Sequence, residues 1–201
     1  MPDPAAFTDE ENWRGGFYEL ALEFAGRDDR LLQAALSAVW RSARVEGCYG
    51  TRDREPADQE EVPCTVSSLA AHGHLQGTVV LPNGRRIVCG CLAVREEEGG
   101  ADWLVLYLPV GALSRVEDIG GFPLGGDGGP GSLGWRRALD DWLAAIGSEV
   151  FAEAPFRLGL VGFGTSGDVD ADLLDGRAPD ARWEGYLLPE EGRLGFHPAN
   201  R

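Results

Sequence analysis

Pro82-Asn83-Gly84 separates two apolar runs, His74–Leu81 and Arg85–Arg95. Asn-Gly supplies backbone positions that tolerate positive φ, and the tight turn it favours returns the chain antiparallel to itself. A chain that forms this hairpin is committed to antiparallel sheet. Pro189-Glu190-Glu191-Gly192 plays the same part between Trp183–Leu188 and Arg193–Phe196. Phe17–Ala25 alternates Tyr18, Leu20, Leu22 and Phe24 with Glu19, Ala21 and Glu23. That period of two, with one polar face, predicts a half-buried strand. Trp103–Val110 is apolar on both faces and is expected at the centre of a sheet. Val45–Thr51 and Phe156–Phe163 are further strands.

Two stretches have helical spacing instead. Leu31, Leu32, Ala35, Leu36, Val39 and Trp40 follow Asp28 and Asp29, either of which can cap the first turn. This helix is expected to end near Ala43. Trp135, Leu139, Trp142, Leu143, Ile146 and Val150 form the apolar stripe of a second helix, with Ser132 as its candidate cap. Arg52–Ala71 and Gly164–Ala181 read as acidic, irregular segments, the first with one short helical turn. Glu96–Ala101 reads as an acidic turn and Gly120–Gly134 as a Gly-rich loop suited to a lid. The fold class is therefore α+β, mostly antiparallel sheet with two helices.

The order strand–helix–strand–hairpin occurs twice. Gly77–Arg85 resembles Gly185–Arg193, and Tyr49-Gly50-Thr51 resembles Phe163-Gly164-Thr165. The expectation is a duplicated unit: Met1–Gly16 as a flexible arm, then 17–201 as one globular domain of two pseudo-equivalent halves, about 17–98 and 102–198. One helix covers only part of each half's strands, so the halves should share a core.

Charge narrows function. The 201 residues hold 33 Asp and Glu against 18 basic residues, all arginine, for a net charge of −15. Without lysine there is no Schiff-base nucleophile and no Walker A cation. The field repels phosphate backbones and anionic membranes and attracts basic surfaces. No signal peptide or membrane span is evident, and the cysteines are few, which predicts a soluble, cytoplasmic chain with free thiols.

Several patterns touch on chemistry. His72 and His74 lie near Cys89 and Cys91 across the Asn-Gly hairpin. With a two-residue turn His74 falls opposite Ala93, and Cys91 becomes its diagonal neighbour on the same face. His72, His74, Cys89 and Cys91, with Cys64 in reserve, could then hold zinc, or Cys91 and His74 could act as nucleophile and base. A one-residue slip separates them. The spacing matches no common zinc motif, strand cysteines are ordinarily small buried hydrophobes, and no orienting third group is evident. The expectation is no metal, no cofactor and no catalytic residue. Gly162-Phe163-Gly164-Thr165-Ser166-Gly167 fits a dinucleotide pattern, but acids rather than a helix follow it. Asp168, Asp170 and Asp172 resemble the start of a calcium loop that then lacks the required Gly and Glu.

What remains is the acid pattern: Asp53, Glu55, Asp58, Glu60 and Glu61 in the first long loop, and Asp168, Asp170, Asp172 and Asp175 in the second. If the repeat holds, the two loops leave matching strand ends. These residues are the candidate contacts to a basic protein partner, with Trp13, Trp103 and Trp183 as possible anchors. The leading expectation is a non-enzymatic binding module, immunity-like or a subunit of a bacterial complex, that does not bind nucleic acid directly. The alternative is a small-molecule enzyme or ligand sensor with a cleft between the halves and the Gly-rich segment as lid.

Overall fold

Strand β1 (Phe17–Phe24) pairs antiparallel with two strands from far along the chain, β5 (Asp102–Pro109) on one side and β6 (Leu158–Phe163) on the other. The computed structural model, which describes residues 2–95, 100–119, 130–167, 169–190 and 192–201, places this strand inside a single eight-stranded sheet. Its order is β2-β3-β4-β5-β1-β6-β7-β8, with β2 (Glu46–Tyr49), β3 (His74–Val80), β4 (Arg86–Arg95), β7 (Gly185–Glu190) and β8 (Arg193–His197). Every neighbouring pair is antiparallel. Two consecutive antiparallel runs, β2 to β5 and β6 to β8, are thus joined through the first strand made.

Helices α1 (Asp29–Ser42) and α4 (Pro130–Glu153) pack together on one face. The Asp28 carboxylate accepts from the amides of Arg30 and Leu31, and Leu32, Ala35, Leu36 and Val39 form the buried stripe of α1. On α4, Gly147 lets the backbone close on the sheet: a Cβ there would lie 2.5 Å from Leu187 Cδ1 and 3.6 Å from Leu20 Cδ1. Tyr18, Leu20, Leu22 and Phe24 therefore face the helices, and Phe17, Glu19, Ala21 and Glu23 face the other way. Three shorter helices, α2 (Val66–His72), α3 (Val110–Leu113) and α5 (Ala171–Leu174), sit in the connections. The fold is α+β and mostly sheet, as its alternating patterns require. Among the described residues no helix is long and apolar enough to cross a membrane.

Two expectations meet a different arrangement. The halves follow a similar succession, but from the centre outward one reads β4, β3, β2 and the other β6, β7, β8. Exchanging the halves puts β2 where β6 lies, beside the centre, so a twofold axis does not map this strand order onto itself. Helix α4 begins at Pro130, so Ser132 lies within it rather than capping it. Residues 96–99 of the acidic turn and 120–129 of the Gly-rich loop fall outside the described residues.

The segment expected as a loose arm is packed down. Phe7 is 1% exposed and makes edge contacts with Trp13 and Tyr49. Asn12 is fully buried and its amide donates to the carbonyls of Asp3 and Ala6. The Glu55 carboxylate accepts from the amides of Phe7 and Thr8. Gly111 is needed at this seam, because a Cβ there would stand 1.9 Å from the Glu11 carbonyl oxygen. Removing a buried phenyl ring leaves a cavity, so Phe7→Ala should lower the unfolding free energy by about 3 kcal/mol in urea denaturation. An unchanged midpoint would mean that the segment is not held by its ring.

Candidate functional site

The Asn-Gly hairpin forms with a three-residue loop. The Leu81 amide donates to Arg85 O at 2.9 Å, the Gly84 amide to Leu81 O at 2.8 Å, and Gly84 has φ of +79°. Val80 is opposite Arg86, and His74 is opposite Leu92 rather than Ala93. This is the one-residue slip, and its effect is absolute: Cys91 pairs with Leu75 and Cys89 with Gly77, toward the helices, while His74 points to the other face. The candidate zinc set of His72, His74, Cys89 and Cys91 is therefore not assembled, and no group of metal-ligating side chains occurs among the described residues. His72 instead packs on Gly50, and Cys89 and Cys91 are fully buried, with burial raising both thiols far above their ordinary range.

His74 flanks a row that crosses the face away from the helices. Tyr49, Gln76, Gly90, Tyr107, Glu19 and Gly162 are successive cross-strand partners from β2 to β6. Gly90 has no side chain because the Tyr107 ring occupies that space: a Cβ would meet Tyr107 Cζ at 2.3 Å. The ring thus lies across β4, and its hydroxyl reaches His74 Nδ1 at 3.0 Å. Burial pushes Tyr107 up and His74 down, and the nearby Arg52 charge lowers both.

The same face holds two buried carboxylates that the alternating pattern assigned to solvent. Glu19 is 2% and Glu23 1% exposed. Each is held by the segment after β6. Ser166 N donates to Glu19 Oε1 at 2.6 Å, and Ala171 N donates to Glu23 Oε2 at 2.7 Å. Arg157 adds an ion pair to Glu23 at 3.5 Å. Burial is the largest influence on both carboxyls and raises them. The Gly-x-Gly-x-x-Gly segment does grip an anion through a backbone amide, but the anion is the protein's own Glu19.

On the helix face, the Tyr18 hydroxyl donates to Asp140. Arg136 Nε donates to Tyr18 Oη at 2.9 Å and to Asp140 Oδ2 at 3.1 Å, and Nη1 donates to Trp183 O at 2.7 Å. Nη2 is buried without a partner among the described residues. Burial raises Asp140 to about 6, against the opposing pull of Arg136.

The candidate partner acids divide by use. Strands β2 and β6 run in opposite directions, because five antiparallel steps separate them, so the two loops leave their strands in opposite directions, although Tyr49 and Gly162 share one cross-strand row. The second loop then doubles back over the face carrying Glu19 and Glu23. Its acids are partly spent: Asp170 caps α5 through Leu173 N, Asp172 pairs with Arg157, Asp175 is exposed, and Asp168 falls outside the described residues. In the first loop Glu55 is committed to Phe7 and Thr8. Asp53, Asp58, Glu60 and Glu61 are exposed there, and none has an ion-pair partner among the described residues. Of the three candidate anchors, Trp13 and Trp103 are buried and Trp183 is 55% exposed.

A cavity of about 480 Å³ opens beside that first loop, lined by Phe7, Thr8, Glu10, Trp13, Arg14, Arg52 and Asp53. The Arg52 guanidinium lies 5.3 Å from the Trp13 ring centroid. No protein-family model, curated protein or solved structure matches the chain, so the arrangement of residues is the sole basis for a functional reading.

The buried Asp140 makes a signed prediction. Its folded value of about 6 lies above the ordinary Asp value near 3.9. The folded chain therefore keeps a proton that the unfolded chain has released between those limits. The resulting stabilisation is complete below about pH 4 and is lost as pH rises through about 6. Relative to the parent, Asp140→Asn should gain about 2 kcal/mol of stability between pH 4 and pH 7 in urea denaturation. A relative loss over that range would show that the Arg136 pair outweighs burial.

Proposed function

We propose that this chain is a non-enzymatic binding protein that holds a basic protein partner with its first acidic loop, as an immunity-like inhibitor or a subunit of a bacterial complex would. The observation that carries this reading is the contrast between its carboxylates. Glu19, Glu23, Glu55, Asp170 and Asp172 are engaged within the molecule. Asp53, Asp58, Glu60 and Glu61 crowd one short exposed segment. Holding like charges together without an ion-pair partner among the described residues leaves their repulsion uncompensated in the isolated fold, even though Glu61 has a hydrogen bond with Tyr49, and a cationic surface would relieve it. Leu173, 74% exposed, and Trp183 are exposed apolar side chains within and just after the second loop, and partly wet apolar anchors among acids suit a protein partner more than a polyanion. The reading includes a cytoplasmic setting, which four cysteines outside any disulfide suit.

A second reading, a ligand sensor, is favoured by the cavity at Arg52. The cleft between halves and the Gly-rich lid first expected for it involve residues 120–129, outside those described, whereas this cavity lies between the N-terminal segment and the first acidic loop.

Affinity capture from the native host tests the leading reading. The expected result is a stoichiometric partner with a basic surface, released by high salt and lost with the combined Asp53→Lys, Asp58→Lys and Glu60→Lys substitutions. Retention of that partner by the charge-reversed chain would overturn the assignment to this loop. Tight, salt-sensitive binding of DNA or RNA by the purified chain would overturn the reading itself.

A further inference from the structure

We infer that the cavity lined by Glu10, Arg14, Arg52 and Asp53 is a binding site for a small zwitterion, a molecule carrying both a carboxylate and an ammonium group, as free amino acids and dipeptides do. The site shares Asp53 with the first acidic loop, its other charged members Glu10, Arg14 and Arg52 lie outside the partner acids, and it needs no protein partner. The cavity, about 480 Å³, is ample for one such molecule. Its walls carry two cations and two carboxylates facing one space.

Arg52 is the distinctive member. Like several other arginines of this chain, Arg52 has no carboxylate partner among the described residues; what sets it apart is that it lines the cavity and rests on an aromatic ring. Its guanidinium is held over Trp13 at 5.3 Å from the ring centroid, which fixes its plane and leaves the N–H donors free for a planar anion. Arg14 is anchored from outside the cavity lining by Glu11 at 2.6 Å. Thr8 is already committed to Glu55 through both its amide and its hydroxyl, so the available polar groups are the charged ones.

Elimination sets the ligand class. A simple anion meets Glu10, Asp53 and the negative field of the whole chain. A simple cation meets Arg14 and Arg52. An apolar molecule finds little wall to cover, since Phe7 and Trp13 are buried and the exposed ring face of Trp13 is taken by Arg52. A neutral polyol would leave both kinds of charge unpaired. A molecule with its carboxylate on Arg52 and its ammonium on Glu10 or Asp53 satisfies both at once.

Isothermal titration calorimetry of the full chain with the proteinogenic amino acids and glycylglycine, each to about 10 mM, tests this. At least one should bind saturably with Kd of about 1 mM or tighter, while acetate and methylammonium bind at least about tenfold more weakly. Arg52→Ala and Glu10→Gln, each checked for an unchanged circular dichroism spectrum, should weaken the bound zwitterion by about tenfold or more. Absence of saturable binding by every zwitterion would overturn the inference. So would acetate binding equally well, or affinity that survives both substitutions.

Discussion

Two carboxylates on the central strand hold the loop face together. Glu19 and Glu23 are four residues apart on β1, so they point the same way and stand about two pleats apart. Each accepts a backbone amide from the segment after β6. Among its described residues that segment has no strand pairing of its own between Phe163 and Gly185, and its one helix is the four-residue α5. Its course over the sheet is fixed by these anions and by the Arg157 pairs to Glu23 and Asp172. An unpaired buried carboxylate is among the most unfavourable groups a core can hold. Sheet and loop are therefore mutually dependent: the loop satisfies the anions, and the anions give a Gly- and Asp-rich segment a defined place.

The strands and the two main helices were legible because hydrophobic period follows local geometry. Alternation marked β1, and the stripe from Leu31 to Trp40 marked α1 within a residue or two of its ends. What covers a face is not local. Glu19 and Glu23 alternate with leucines as solvent-facing residues do, and only the distant amides of Ser166 and Ala171 make their burial tolerable. Phe7 and Trp13 stand alone in a polar stretch with no period to reveal a docking segment. The hairpin was legible, but its loop length was not. Gly84 suits the left-handed position of a three-residue loop as well as a two-residue turn, and that single residue decides which face His74 shares with which partner.

Charge was legible in amount and obscure in use. Composition reports a surplus of acid, yet the fold divides it into internal ligands, helix caps, ion pairs and a remainder. The second loop looked equivalent to the first in sequence, but Asp170 and Asp172 work within the fold, whereas Asp53, Asp58, Glu60 and Glu61 face solvent. The crowding of one sign of charge is thus concentrated beside a cavity that also holds Arg52 and Arg14. Local fields there are mixed even though the molecule as a whole is strongly negative.

The place of β1 in the sheet has a consequence for assembly. Its residues leave the ribosome before any of their pairing partners. One edge waits for β5, and the other for β6, which begins at Leu158. Until then a strand with Tyr18, Leu20, Leu22 and Phe24 on one side has an unpaired backbone edge, the kind of surface that invites wrong pairing. Glu19 and Glu23 are charged during that interval, because nothing has yet buried them. The same two side chains that later anchor the loop can act before then as solubilising gatekeepers on an exposed strand.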